Sequence, residues 1–130
     1  MKVTGLDHLV LTVSDIAATV AFYQGILGMV PQIFKALDGS ARTSLGFGIQ
    51  KINLHAAENT FKPHKYTPAT GSTNLCLLVD NPLDEWIDHF KSQKVDIIDG
   101  PRSRWRARGQ ITSIYLRDPD FKLIEVSIYA

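Results

Sequence analysis

Asp7-His8-Leu9-Val10-Leu11-Thr12-Val13 and, later in the chain, Thr73-Asn74-Leu75-Cys76-Leu77-Leu78-Val79 decide the fold. Each is a short run rich in leucine and β-branched residues that leads into a helical pattern, so each reads as a strand followed by a helix. After the first, Ser14 or Asp15 offers an oxygen to the free backbone N–H groups of a helix start. Ile16, Val20, Tyr23 and Leu27 then recur at helical spacing, and Gly28 is a natural stop. After the second, Leu83, Trp86, Ile87 and Phe90 share one face of a helix within Asn81 to Lys94. Three strand candidates complete each half. They lie around Pro31 to Leu37, Thr43 to Ile49 and Lys51 to His55, and then around Asp96 to Ile98, Ile111 to Arg117 and Leu123 to Tyr129. A turn at Asp118-Pro119-Asp120 separates the last two.

The pattern predicts an α+β fold of two βαβββ modules in one domain over residues 1–130. Module 1 covers about 1–56 and module 2 about 73–130, with a polar linker over about 57–72 that holds Pro63, Pro68 and Gly71. A chain of 130 residues can bury one core but not two independent ones. A net charge of +1 gives no general attraction to nucleic acid or anionic membrane, and no apolar run reaches the ~18 residues of a membrane span. The N-terminus has no secretory pattern, and one cysteine cannot form an internal disulfide, so a cytoplasmic location is expected. Cys76, flanked by leucines, reads as a core thiol.

The repeat picks out positions that carry chemistry. His8 falls opposite Asn74, and Ile52-Asn53-Leu54 superposes on Ile124-Glu125-Val126. In both closing strands one polar residue sits between apolar ones. Alternation therefore turns Asn53 and Glu125 away from the helix-covered core, and His55 and Ser127 with them. A polar pocket gathering His8, Asn53, His55, Asn74 and Glu125 is expected. If Ile114 and Leu116 face the core, Ser113, Tyr115 and Arg117 face the other way, and Ser113 and Tyr115 approach that pocket. Arg117 reads as a partner for Asp118 or Asp120, and His64 and His89 as surface residues. Arg102-Ser103-Arg104-Trp105-Arg106-Ala107-Arg108-Gly109 reads as a loop. Its guanidinium groups, Arg106 and Arg108 in particular, can meet an anionic substrate at the pocket mouth.

The order of these pieces resembles the glyoxalase, bleomycin-resistance and extradiol-dioxygenase superfamily, the vicinal oxygen chelate proteins. The residues that carry the likeness are Asp7 to Val13, Phe22-Tyr23 with Leu27-Gly28, and Arg117-Asp118-Pro119-Asp120 leading to Leu123-Ile124-Glu125-Val126. The resemblance implies a curved, incompletely closed mixed sheet with helices outside, and a divalent metal (Ni, Zn, Mn or Fe) held from the first and last strands of the modules. The matching positions here are His8, Asn53, Asn74 and Glu125. Histidine and carboxylate are good ligands for such ions and an amide oxygen is a weak one, so His55 is the candidate to complete a set with His8 and Glu125. The resemblance further implies Glu125 as ligand and base, Tyr115 as a proton donor or orienting group, and Ser113 and Tyr115 as substrate contacts. Val10 stands where fosfomycin-modifying members carry a hydroxyl residue, and Phe121 where the family turns on glycine.

Three activities follow from the resemblance. The first is a glyoxalase I-like lyase, a lactoylglutathione lyase acting on a small oxygenated substrate such as the methylglyoxal–glutathione hemithioacetal. The second is an extradiol dioxygenase, and the third a non-enzymatic or thiol-transfer resistance protein that binds a drug. The implied partners are a small molecule and a second copy of the chain in a homodimer, with no nucleic acid and no membrane.

Overall fold

The structure, a computed structural model, describes residues 1–58 and 69–129. The part of the expected linker that holds Pro63, His64 and Pro68 lies outside them. The chain divides after Gly71 into two compact units, each a βαβββ module.

In the first unit β1 (His8–Val13) leads to α1 (Ile16–Gly25), then β2 (Val30–Lys35), β3 (Ala41–Phe47) and β4 (Gln50–Ala56). Its sheet has the order β1-β4-β3-β2, with β1 parallel to β4 and the other pairs antiparallel. Asp15 caps α1, its side chain accepting the Ala18 N–H at 3.1 Å. Gly28, at φ 71°, ends it: the Met29 N–H reaches back to the Tyr23 carbonyl and the Gly28 N–H to that of Gln24. The helix lies against β2, β3 and β4 and buries Tyr23 and Thr19. Leu11, Val13, Leu45, Ile52 and Leu54 are buried with Tyr23 in the core.

The second unit repeats this with β5 (Asn74–Leu78), α2 (Leu83–Ser92), β6 (Asp99–Arg106), β7 (Gly109–Arg117) and β8 (Leu123–Tyr129) in the order β5-β8-β7-β6. Leu75, Phe90, Ile111, Ile114, Leu116, Ile124 and Val126 are among its buried apolar residues. His89 is half-buried on α2, with ring contacts to Trp86 and Phe90. No helix among the described residues is long and apolar enough to cross a membrane.

The expected sixth strand is displaced. It runs from Asp99 to Arg106 rather than Asp96 to Ile98, so most of the arginine-rich segment is strand and not loop. The period-two alternation of Arg102, Arg104 and Arg106 with Ser103 and Trp105 is the physical reason. Arg102 pairs with Ser113, Arg104 with Ile111 and Arg106 with Gly109. The start of β6 tolerates no side chain at Gly100. Its φ is 92°, and a Cβ there would stand 2.5 Å from the Ser113 carbonyl oxygen. Gly100→Ala is expected to destabilise the fold by about 2–3 kcal/mol through backbone strain and overpacking, read as a lower urea midpoint.

The turn between β7 and β8 is built on Asp118 and Lys122. Asp118 Oδ1 accepts the N–H groups of Asp120 and Lys122, both at 2.9 Å. The fully buried Lys122 ammonium lies 3.5 Å from Asp120 and 4.0 Å from Asp118. Lys122, not Arg117, is thus the cation that meets these aspartates, while Arg117 donates to the Phe121 carbonyl at 3.2 Å. Phe121 itself takes φ 61°, the left-handed conformation that the turn requires, without the glycine that adopts it most easily.

Candidate functional site

The strand registers fix which side chains share a face. On β4 and β8 the residues between the buried Ile52 and Leu54, and between Ile124 and Val126, are Asn53 and Glu125. Asn53 lies opposite Val10 on β1, and Glu125 opposite Cys76 on β5, so the two modules carry the same pairing at equivalent places.

In the first module His8 lies opposite Lys51 at the start of β1, and its Nδ1 is 2.8 Å from the Asp7 carboxylate. His55 lies opposite Thr12, four residues further along the same parallel pair. That stagger is about 13 Å of strand, whereas two ligands about 2.1 Å from one ion lie within about 4 Å of each other. Within this module His55 therefore does not complete a two-histidine set with His8. Asn53 Oδ1 and the Oγ of Ser44, which faces Asn53 from β3, are buried with no hydrogen-bond partner among the described residues. A hollow of about 470 Å³ opens on this module, lined among others by Asp7, Gln32, Gly46 and Lys51.

In the second module Glu125 is the hub. Its Oε1 accepts from Ser113 Oγ at 2.6 Å and Tyr115 hydroxyl at 3.2 Å, and Arg106 Nη2 stands 2.9 Å from both carboxylate oxygens. Burial pushes the carboxyl toward its neutral form. The hydrogen bonds from Ser113 and Arg106, the charge of Arg106 and the bond from Tyr115 outweigh that and hold it below the ordinary glutamate value. Hydrogen bonding to Glu125 in turn raises the Arg106 guanidinium against the effect of burial. Arg104 donates to the Tyr115 hydroxyl at 3.0 Å and lies over its ring. It makes no ion pair with a carboxylate among the described residues, whereas Arg102 is paired with Asp99 at 2.7 Å. A cavity of about 460 Å³ borders this group, lined by Asn74, Cys76, Arg104, Arg106, Tyr115 and Glu125 among others.

The expected residues fare unequally in this arrangement. Glu125, Tyr115, Arg106 and Asn74 border one cavity, while Ser113 is fully buried behind it, bonded to Glu125 and to Ser127 Oγ at 2.7 Å. Arg108 lies past the end of β6 with its guanidinium 4.3 Å from the centre of the Tyr129 ring, and it does not line the cavity. Arg104 takes that place. The alternation along β6 was the signal that identifies it. Cys76 is exposed rather than a core thiol: alternation that buries Leu75 turns Cys76 to the Glu125 side, with its Sγ 3.5 Å from Ser127 Oγ.

The sequence of this chain matches the Glyoxalase/Bleomycin resistance protein/Dioxygenase superfamily over residues 5–126. The chain belongs to that superfamily. It is 43% identical over 129 residues to Virulence protein STM3117 of Salmonella typhimurium, covering 99% of this chain and 87% of that protein. It is 40% identical over 129 residues to the glyoxalase domain-containing protein RDO1 of Mycosarcoma maydis, covering 99% and 70%. Among solved structures, one from the mobile metagenome of V. Pseudocholerae is 48% identical with a TM-score of 0.94, covering 100% of this chain and 98% of that one.

Members of this superfamily typically use a divalent metal, and the donors of this chain suit one poorly. Asn53 and Asn74 offer only amide oxygens, His55 is staggered away from His8, and Glu125 already accepts three contacts at Oε1 and the Arg106 guanidinium at Oε2. His8 alone keeps a ligand's arrangement, with Nδ1 on a carboxylate and Nε2 on the ring's other side. Among the described residues no three His, Cys, Asp or Glu side chains form a cluster able to hold a metal.

Proposed function

We propose that this protein is a glyoxalase-type lyase or isomerase that moves a proton between neighbouring carbons of a small, oxygenated, anionic substrate. The observation that supports this reading is the Glu125 carboxylate bordering a cavity that also carries the Tyr115 hydroxyl and the Arg104 guanidinium. Glu125 takes a proton from the carbon beside a carbonyl and returns it to the adjacent carbon, so the substrate gains and loses no electrons overall. Tyr115 donates to the oxygen that becomes negative in the enediolate, and Arg104 holds the substrate's anionic group. Arg106 keeps Glu125 a weak base at rest. A substrate carboxylate that competes for the guanidinium weakens that hold, and the proton affinity of the carboxyl rises in the direction in which burial pushes it.

The methylglyoxal–glutathione hemithioacetal has the carbon-bound proton, the carbonyl and the carboxylates that this scheme needs. Incubating it with the protein is expected to give the thioester absorbance, and no thioester at any protein concentration would overturn the reading. A second reading, a binding protein without catalysis, draws support from the three contacts that already occupy Glu125 Oε1. Under it, calorimetry shows the hemithioacetal binding while no thioester forms.

A further inference from the structure

We infer that the Arg106 guanidinium stands in for a divalent cation on Glu125, so that the second module carries its own positive charge and takes no metal there. This goes beyond the proposed activity and does not depend on it. A single nitrogen, Arg106 Nη2, lies 2.9 Å from both carboxylate oxygens, equidistant from them as a chelated ion would be. A metal would need oxygen at about 2.0–2.2 Å on that same side, so the ion and the guanidinium exclude each other by volume as well as by charge.

Three further observations agree. Ser113 and Tyr115 use the remaining acceptor capacity of Oε1. Ser113 is itself fixed by Ser127 and fully buried, so the carboxylate is not free to rotate toward another partner. Asn74, on the strand that pairs with β8, offers an amide in place of a strong ligand. A positive charge delivered by the chain needs no metal supply and no deprotonation of ligands. It also cannot open a coordination position for a catechol and oxygen, which separates this site from iron chemistry by its ligands.

The test is metal uptake by the untagged chain, read by elemental analysis after incubation with zinc, manganese or nickel and dialysis, with thermal shift alongside. The wild type is expected to retain well under one ion per chain. One ion per chain that Glu125→Gln removes would overturn the inference, while an ion that survives Glu125→Gln lies elsewhere and leaves it standing. Asn74→His alone, with Arg106 still on the carboxylate, is compared with Asn74→His combined with Arg106→Met. The double variant is expected to hold zinc about tenfold or more tightly than the single one. Equal uptake, including none by either, would assign Arg106 no blocking role and overturn the inference. These readings involve no turnover, so an inactive protein does not bear on them.

Discussion

Glu125→Gln is expected to lower kcat/KM for the hemithioacetal by about 100-fold or more while the chain remains folded, the usual cost of losing a positioned base. The amide keeps the volume and one acceptor oxygen, so Ser113 and Tyr115 retain a partner. Arg106 is part-exposed and can turn its charge toward water. The variant also tests the acid side of stability. Glu125 is held below the usual glutamate value in the folded chain, so its contribution is fully present above the unfolded pKa of about 4.3. It is lost as pH falls through the lower, folded value. The melting temperature of the wild type should therefore hold from pH 7 to about 5 and decline below that. The decline should be shallower in Glu125→Gln, and Asp38 and Asp99, which are also held low, account for the part that remains. An identical acid profile in the two proteins would mean that Glu125 is not held as described.

Much of this was legible because sheet architecture is written in short-range alternation. The two opening strands, the equivalence of Asn53 and Glu125, and the inward direction of Tyr115 all follow from period-two patterns within a few residues. Charge obscured the same signal in β6, where four arginines in a short stretch read as solvated loop although Arg102, Arg104 and Arg106 alternate as a strand should. Cys76 is exposed among leucines for the opposite reason, since apolar neighbours say little about the face on which a strand residue stands. The pairing of Arg106 with Glu125 lies deeper still. It joins residues on β6 and β8, and β7 runs between them. It depends on the register of the β6–β7 hairpin, including the irregularity between Asp99 and Arg102, which no local pattern specifies. The stagger of His55 against His8 likewise depends on the parallel register of β1 with β4.

Lys122→Met is expected to destabilise the fold by about 3 kcal/mol, read as a lower urea midpoint at unchanged slope, because it removes the buried cation that Asp118 and Asp120 share and leaves both carboxylates. Methionine preserves the apolar stem, so the loss comes from charge rather than from a cavity. Asp118, almost fully buried, would keep its two backbone donors from Asp120 and Lys122 but lose the ammonium 4.0 Å away. Relief should come from the partners' side: Asp118→Asn and Asp120→Asn together on the Lys122→Met background remove both stranded charges, and the asparagine at 118 keeps an acceptor for both N–H groups. Recovery of about half the loss or more would identify the buried charge as the cause, and no recovery would assign it to packing of the Lys122 stem. The site has a stake in the outcome, because this turn sets where β8 begins and Glu125 is the third residue of that strand. A loosened turn lets β8 fray from its β7 end, where Arg117 pairs with Leu123, toward Tyr115 opposite Glu125. Lys122→Met is therefore also expected to reduce turnover at temperatures where the chain is still folded, although Lys122 does not border the cavity.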